Sequence, residues 1–487
     1  MLFCKSTFDL NKYNKKEVCS LPTVEQLRAS LDASLGSDAR MHLNMLFDKD
    51  TFVETGAYTK RAVSDFISVD EAGELEGVIT GYGAIDGKLT FAFCEDITRA
   101  KGVIDERHAK KIADLYDLAI KSGAAVVGIF NSNGTDIFEG TAALAAYGRI
   151  INSVSRASGA IPQIAYVAGK CIGLSAAIAA MFDIIVKENS ASFYVSSPAL
   201  TGVDGAQDAV LAYSGDGVQC ASYIRSLISY LPDNNASGIV MSASADNLNR
   251  KLGDLDFSGE GLSAVSVIAD NAVYYEISSE FAPEVSTVLT TVGGVKCGIV
   301  ASSFSKNEGR ISVACARKIS KFVNFCDAFN LPIITLADSY GLSVDKANEV
   351  QYFAPELAKL AYAYSGATVP KITVILGHAI GAAFVLLGSK SLGADLVYAT
   401  SDSEIGALTA SSGVAFAWND LITLDKSRED LVNEWKNTVS TPAIAAASGE
   451  IDDIISVNEL RARICSALMM LATKGKVKPT CCKVLPL

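Results

Sequence analysis

The chain has 487 residues, 49% hydrophobic and only 20% charged, which is enough apolar material for roughly two to four packed domains. With 42 basic against 54 acidic residues the formal net charge is −12, which argues against nucleic acid as a partner. Eleven cysteines without CxxC spacing exclude a disulfide scaffold, and the three histidines, His42, His108 and His378, do not cluster with them, so no metal is expected.

Taken in chain order, Met1-Leu2-Phe3-Cys4-Lys5 lacks the apolar run of a signal peptide, and the basic run Asn11-Lys12-Tyr13-Asn14-Lys15-Lys16 reads as a solvated segment. Two apolar runs around Asp86-Gly87, in GVITGYGAIDGKLTFAFCED, predict a strand pair joined by a tight turn. Apolar Ile112, Leu115, Leu118 and Ala119 predict a helix over 110–121, ended by Ser122-Gly123. A short strand, Ala125–Phe130, stops at Asn131-Ser132-Asn133-Gly134. A second helix is expected from Glu139-Gly140 to about Ser155. After Ile161-Pro162 a buried strand runs to Gly169, a turn falls at Gly173, a helix of small residues reaches Met181, and a strand covers 183–187. The segment 231–261 is rich in Asn, Asp, Ser and Gly and reads as a linker.

Beyond the linker the pattern recurs. IPQI at 161 matches VPKI at 369, about 208 positions on, and Gly169 and Gly173 match Gly377 and Gly381. KKIADLYDLAIKSGAAVVGIFNSNG matches RKISKFVNFCDAFNLPIITLADSYG, and 78–83 resembles 288–293. Three ordered blocks predict a duplicated domain, with a boundary near residue 255 giving copies 1–255 and 256–487. The apolar stretch 372–388, about seventeen residues, falls short of the ~20 that span a membrane and reads as buried core. A cytoplasmic chain is expected. The vicinal pair Cys481-Cys482 reads as an exposed tail.

These blocks, together with EGTAALAAYGRI, LAYAYSGATVPKITVI and GSKSLGADLVYA, resemble the carboxyltransferase family of biotin-dependent acyl-CoA carboxylases and decarboxylases. The resemblance covers roughly residues 46 to 418. It implies an α/β fold of two tandem crotonase-like spiral (ββα) domains. It also implies a homo-oligomer, commonly a hexamer, with each active site between the N-copy of one subunit and the C-copy of another. The chain departs from the family pattern in three places. The first turn is Asn131-Ser132-Asn133-Gly134, the glycine pairs are Gly173-Leu174 and Gly381-Ala382, and Val385 stands where an aspartate is common.

Carboxyl transfer develops negative charge on two oxygens, one on biotin and one on the thioester. Backbone N–H groups at a helix start stabilise such charge well. The expected donors are at Gly173-Leu174 for one oxyanion site and at Gly381, Ala382 and Ala383 for the other. Gly134 and Gly341 are expected to complete the two pockets. The released biotin anion could take the α-proton itself, so no side-chain base is required. Arg99 and Lys101 are candidates for coenzyme A phosphates, although solvated charges are the simpler expectation. His378 is a candidate donor near biotin or a hydrogen-bonded core histidine, Tyr340 a pocket wall or a packing aromatic, and His108 a residue near the coenzyme A entrance or a surface or capping histidine. No Met is followed by Lys, so biotin must arrive on a separate biotin carboxyl carrier protein. A biotin carboxylase, or a membrane decarboxylase subunit, is the further partner. The function expected is carboxyl transfer between carboxybiotin and a short acyl-CoA (acetyl-, propionyl- or methylmalonyl-CoA). The alternatives are the alpha subunit of a biotin-dependent decarboxylase sodium pump and a non-catalytic scaffold paralogue. An enoyl-CoA hydratase-like enzyme is weaker, because that chemistry generally asks for two placed carboxylates in one domain.

Overall fold

The computed structural model describes residues 23–33, 36–61, 75–135, 140–244, 246–251, 260–423, 425–475 and Pro486. The basic run at Asn11–Lys16, the boundary near 255 and the pair Cys481-Cys482 lie outside these residues.

The N-copy is a seven-stranded sheet with β1 (Val53–Thr55), β2 (Val78–Ile85), β3 (Lys88–Glu95), β4 (Ala125–Phe130), β5 (Gln163–Val167), β7 (Ile184–Glu188) and β9 (Tyr213–Gly215) side by side in that order. Asp86 (φ 48°) and Gly87 (φ 77°) both take the left-handed conformation that a two-residue hairpin asks for. They set the antiparallel register Ile85↔Lys88 through Val78↔Glu95. From β3 onward every strand adds in parallel to the same edge. A doubly wound sheet reverses its strand order; this one does not, and the chain winds as a spiral. The short strands β6 (Lys170–Ile172) and β8 (Ser192–Tyr194) leave the main sheet and pair with each other.

The C-copy repeats the plan. Strands β10 (Tyr274–Ile277), β11 (Val285–Val292), β12 (Val295–Ser302), β13 (Ile333–Ser339), β14 (Lys371–Ile380), β15 (Leu396–Thr400) and β17 (Asp453–Ile455) lie in order. β14 is one long strand whose first half pairs β15 and whose end turns to pair β16 (Glu404–Gly406). In the N-copy the same path is broken into β5 and β6.

The predicted helices form, with ends shifted. Asp105 caps the first by accepting from the His108 N–H, so it runs Glu106–Ser122, and Gly123 closes it at φ 62°. The second is Thr141–Ala157 and the small-residue helix is Leu174–Ala180. Along the linker no helix or strand intervenes between Tyr230 and Gly261 among the described residues. It is nevertheless bonded to both copies. The Asn234 amide donates to the Gly123 carbonyl at 2.8 Å, and the Asn330 amide donates to the carbonyls of Asn235 and Ser237.

One core cluster runs through both copies, with the helix Gly217–Tyr230 packed between them. Buried Tyr230 donates its hydroxyl to the carbonyls of Thr290 and Cys297, and accepts from the Cys297 N–H at 3.0 Å. Two further clusters fill the outer side of each copy. Among the described residues no helix is long and apolar enough to cross a membrane, and residues 372–388 divide between β14 and a short helix.

Candidate functional site

The two helix starts are built alike. Gly173 has φ 61° and ψ −126°; Gly381 has φ 57° and ψ −130°, a conformation open in practice to glycine alone. The Gly173 N–H donates to the Tyr194 carbonyl at 3.0 Å, and the Gly381 N–H to the Gly406 carbonyl at 2.8 Å. This corrects the sequence expectation at one atom in each copy. The glycine amides are engaged in strand-type bonds, so the glycines supply the turn. The amides of the first helical turn, Leu174 and Ser175 in one copy and Ala382 and Ala383 in the other, have no intrahelical acceptor.

Beside each start stands the expected second turn. Gly134 (φ 96°) donates its N–H to Ser132 Oγ at 2.9 Å; Gly341 (φ 105°) donates to Ser339 Oγ at 3.2 Å. Their carbonyls accept from Ile104 and Ile311, each at 2.8 Å. Gly134, Gly173 and Leu174 line one pocket of about 400 Å³ with Tyr147 and Tyr194. Gly341, Gly381 and Ala382 line another of about 550 Å³ with Tyr340, Arg310 and Glu404. The two pockets share no residue, so within one chain they are separate.

The polar residue ending β4 or β13 holds the next crossing. Asn131 Oδ1 accepts from the Lys170 N–H at 3.2 Å, and Asp338 Oδ1 from the His378 N–H at 2.8 Å. A Cβ at Gly169 would meet Asn131 Oδ1 at 2.2 Å, and one at Gly377 would meet Asp338 Oδ1 at 2.6 Å. That close approach is the reason for glycine at both positions.

The remaining candidates separate. His378 stands one layer behind the C-pocket wall. Its Nδ1 lies 2.8 Å from Asp338 Oδ1 and its ring packs between Phe304 and Tyr340, with centroids 4.5 and 4.4 Å away. This is the hydrogen-bonded reading rather than the pocket donor. Tyr340 does line the pocket. Arg99 is buried with its guanidinium 3.4 Å from Asp96, so it is neither a solvated charge nor presented to a phosphate. Lys101 is exposed, and its carbonyl accepts from Asn133 Nδ2 at 3.0 Å, which places it beside the N-pocket turn. His108 is fully buried, not at a surface or an entrance. It lies 3.8 Å from Glu76 and 3.9 Å from Glu95, and burial pushes it down to about 3. Burial likewise pushes Glu95 up to about 8.

Three pocket residues carried no functional expectation. Buried Tyr147 lines the N-pocket, and burial raises its pKa above the usual phenol value. Its one signal in the sequence was a tyrosine on the buried face of a helix, where its hydroxyl needs a partner. Arg310 donates to the Tyr340 carbonyl at 3.2 Å, and Glu404 accepts from the Ala410 N–H at 3.0 Å. Nothing in their spacing set these two apart.

The carboxyl transferase domain family model matches residues 37–483. The methylmalonyl-CoA decarboxylase subunit alpha of Veillonella parvula is 35% identical over 462 residues, 90% of each chain. The propionyl-CoA carboxylase beta chain of Saccharopolyspora erythraea is 30% identical, covering 91% of this chain and 88% of the relative. A crystal structure of transcarboxylase 12S, a hexamer with methylmalonyl-CoA bound, superposes with a TM-score of 0.85 at 29% identity, covering 95% of this chain and 98% of that one.

Proposed function

The chain belongs to the carboxyl transferase domain family, and on that premise we propose that it moves a carboxyl group between carboxybiotin on a separate carrier protein and a short-chain acyl-CoA. Methylmalonyl-CoA is the first thioester to test, because similar proteins are named for it. One observation carries the reading: the same glycine turn, at matching φ and ψ, opens a pocket in each copy beside a second left-handed glycine.

The N-pocket takes the acyl-CoA. The amides of Leu174 and Ser175 hold the thioester oxygen as charge develops on it, and Tyr147 lines the same pocket. Exposed Lys101 is a cation beside the N-pocket turn, available to the coenzyme A phosphates. Biotin, when its carrier delivers it, supplies the carboxyl and a ureido oxygen that gains negative charge as the carboxyl leaves. The C-pocket fits that group: the methyl side chain of Ala382 leaves the amides of Ala382 and Ala383 open, and a Cβ at Gly381 would already touch the Ala407 carbonyl at 3.4 Å. Each such donor is typically worth about 3 kcal/mol at the transition state.

The two pockets must meet for transfer, and one chain keeps them apart. The complete site therefore joins the N-pocket of one subunit to the C-pocket of another. Apolar residues at both mouths support this, with Leu174 and Val195 45% and 60% exposed at one and Val344 and Leu408 88% and 42% exposed at the other. Membership of an assembly such as a hexamer follows from the same need.

The test is purified full-length chain with free biotin and methylmalonyl-CoA, followed by release of propionyl-CoA. Biotin-dependent release supports the reading. A chain that assembles yet turns over neither malonyl- nor methylmalonyl-CoA is a scaffold instead. The similarity to a decarboxylase alpha subunit favours a second direction of flux, and co-purification decides it: an integral-membrane partner indicates decarboxylation, a biotin carboxylase indicates carboxylation.

A further inference from the structure

We propose that the cavity between the two copies is a binding site for an amphipathic monocarboxylate, separate from both glycine pockets. The cavity holds about 390 Å³ and shares no residue with either pocket. It falls within the roughly 300–1,000 Å³ typical of small-molecule sites.

Its walls come from both halves. One face of the helix Val313–Ala328 contributes Lys321, Phe322, Phe325 and Ala328, and the N-copy contributes Phe182 and Ile185. The spacing of three and four along that helix puts Lys318 and Lys321 on the same face as the apolar groups, and buried Lys318 donates to the Val285 carbonyl at 2.7 Å. Lys321 is exposed at the rim, and its ammonium donates to the Phe182 carbonyl at 3.4 Å. An ammonium has three donors, and that long contact engages one. Asp183 also lines the chamber and attracts Lys321, while its Oδ2 accepts from the Gln163 N–H at 2.8 Å. Arg317 at the same rim is paired with Glu356 at 3.3 Å. An apolar chamber whose exposed Lys321 makes only a long carbonyl contact, while Arg317 and Lys318 are engaged elsewhere, recognises one anionic head and an unbranched apolar tail. A fatty carboxylate has that form, with its head on Lys321 and its tail among Phe182, Ile185 and Phe325.

The experiment is calorimetric titration of the full-length protein with hexanoate, octanoate and decanoate. One saturable site is expected, with affinity rising about fourfold per added methylene. Lys321→Glu, a change at an exposed position, weakens decanoate by about tenfold or more. Ala328→Phe, which fills the chamber, does the same where it folds; where it does not, Lys321→Glu decides. Saturating coenzyme A leaves decanoate affinity unchanged. Absence of saturable binding, affinity indifferent to chain length or to Lys321→Glu, or displacement by coenzyme A overturns the assignment.

Discussion

At the scale of single residues, the site depends on glycines that no other residue replaces, for two different reasons. At Gly381 the reason is conformational, because φ is 57°. Gly381→Val is expected to lower transfer by about a hundredfold or more, the usual consequence of losing an oxyanion donor, with acyl-CoA binding retained. Steady-state transfer rates beside acyl-CoA titration check it; undiminished transfer removes the C-pocket from the mechanism. At Gly169 the reason is steric, with Asn131 Oδ1 2.2 Å from an added Cβ. Gly169→Ala pushes Asn131 off the Lys170 amide and is expected to cost about 1–3 kcal/mol in urea unfolding. Glu95 gives a pH signature. Its folded pKa is raised by burial from the ordinary 4.5 to about 8, so folding favours its protonated form. Its stabilising contribution is full below the unfolded pKa, declines as pH rises, and is lost once pH passes about 8. Glu95→Gln should flatten that decline, and unfolding free energies of the two proteins at pH 5 and pH 9 give the comparison.

Among the elements, the hairpin at Asp86-Gly87 and the strand Ala125–Phe130 were legible because turn chemistry and a bounded apolar run are local signals. The repeat itself was legible because duplicated backbone turns keep their glycines. What the sequence did not reveal were contacts between distant positions. It showed Gly169 and Gly377 recurring but not the side chains from β4 and β13 that press on them. Arg99 read as a solvated charge because its pair with Asp96, only three residues away, is buried by parts of the chain that local spacing does not show. The engagement of the Gly173 and Gly381 amides was also hidden, since their acceptors, the carbonyls of Tyr194 and Gly406, lie in later strands. The helix Gly217–Tyr230 went unread, yet it joins the copies. Tyr230→Phe leaves the carbonyls of Thr290 and Cys297 short of a buried donor and should cost about 1–3 kcal/mol in thermal unfolding. An unchanged midpoint would remove this bond as a tie between the halves.

For the whole molecule, separate pockets in one chain make a prediction about mixtures. A Gly173→Val protein keeps a sound C-pocket, and a Gly381→Val protein keeps a sound N-pocket. Each alone should be nearly inactive. Unfolded and refolded together, they should regain activity, because some composite sites then receive two sound halves. Mixtures that stay inactive while assembling normally would show that each chain completes its own site. Val344→Lys should weaken assembly and transfer together, read by sedimentation and by rate.

The linker has a consequence of its own. Asn234 clasps the close of one half and Asn330 of the other half clasps the same short stretch of chain, so the halves are sewn at their seam rather than hung from a loose thread. On the proposed composite site, the two pockets would then be joined or parted by movement between neighbouring molecules, and cross-linking neighbours to one another should stall turnover more than any clamp placed within a single chain.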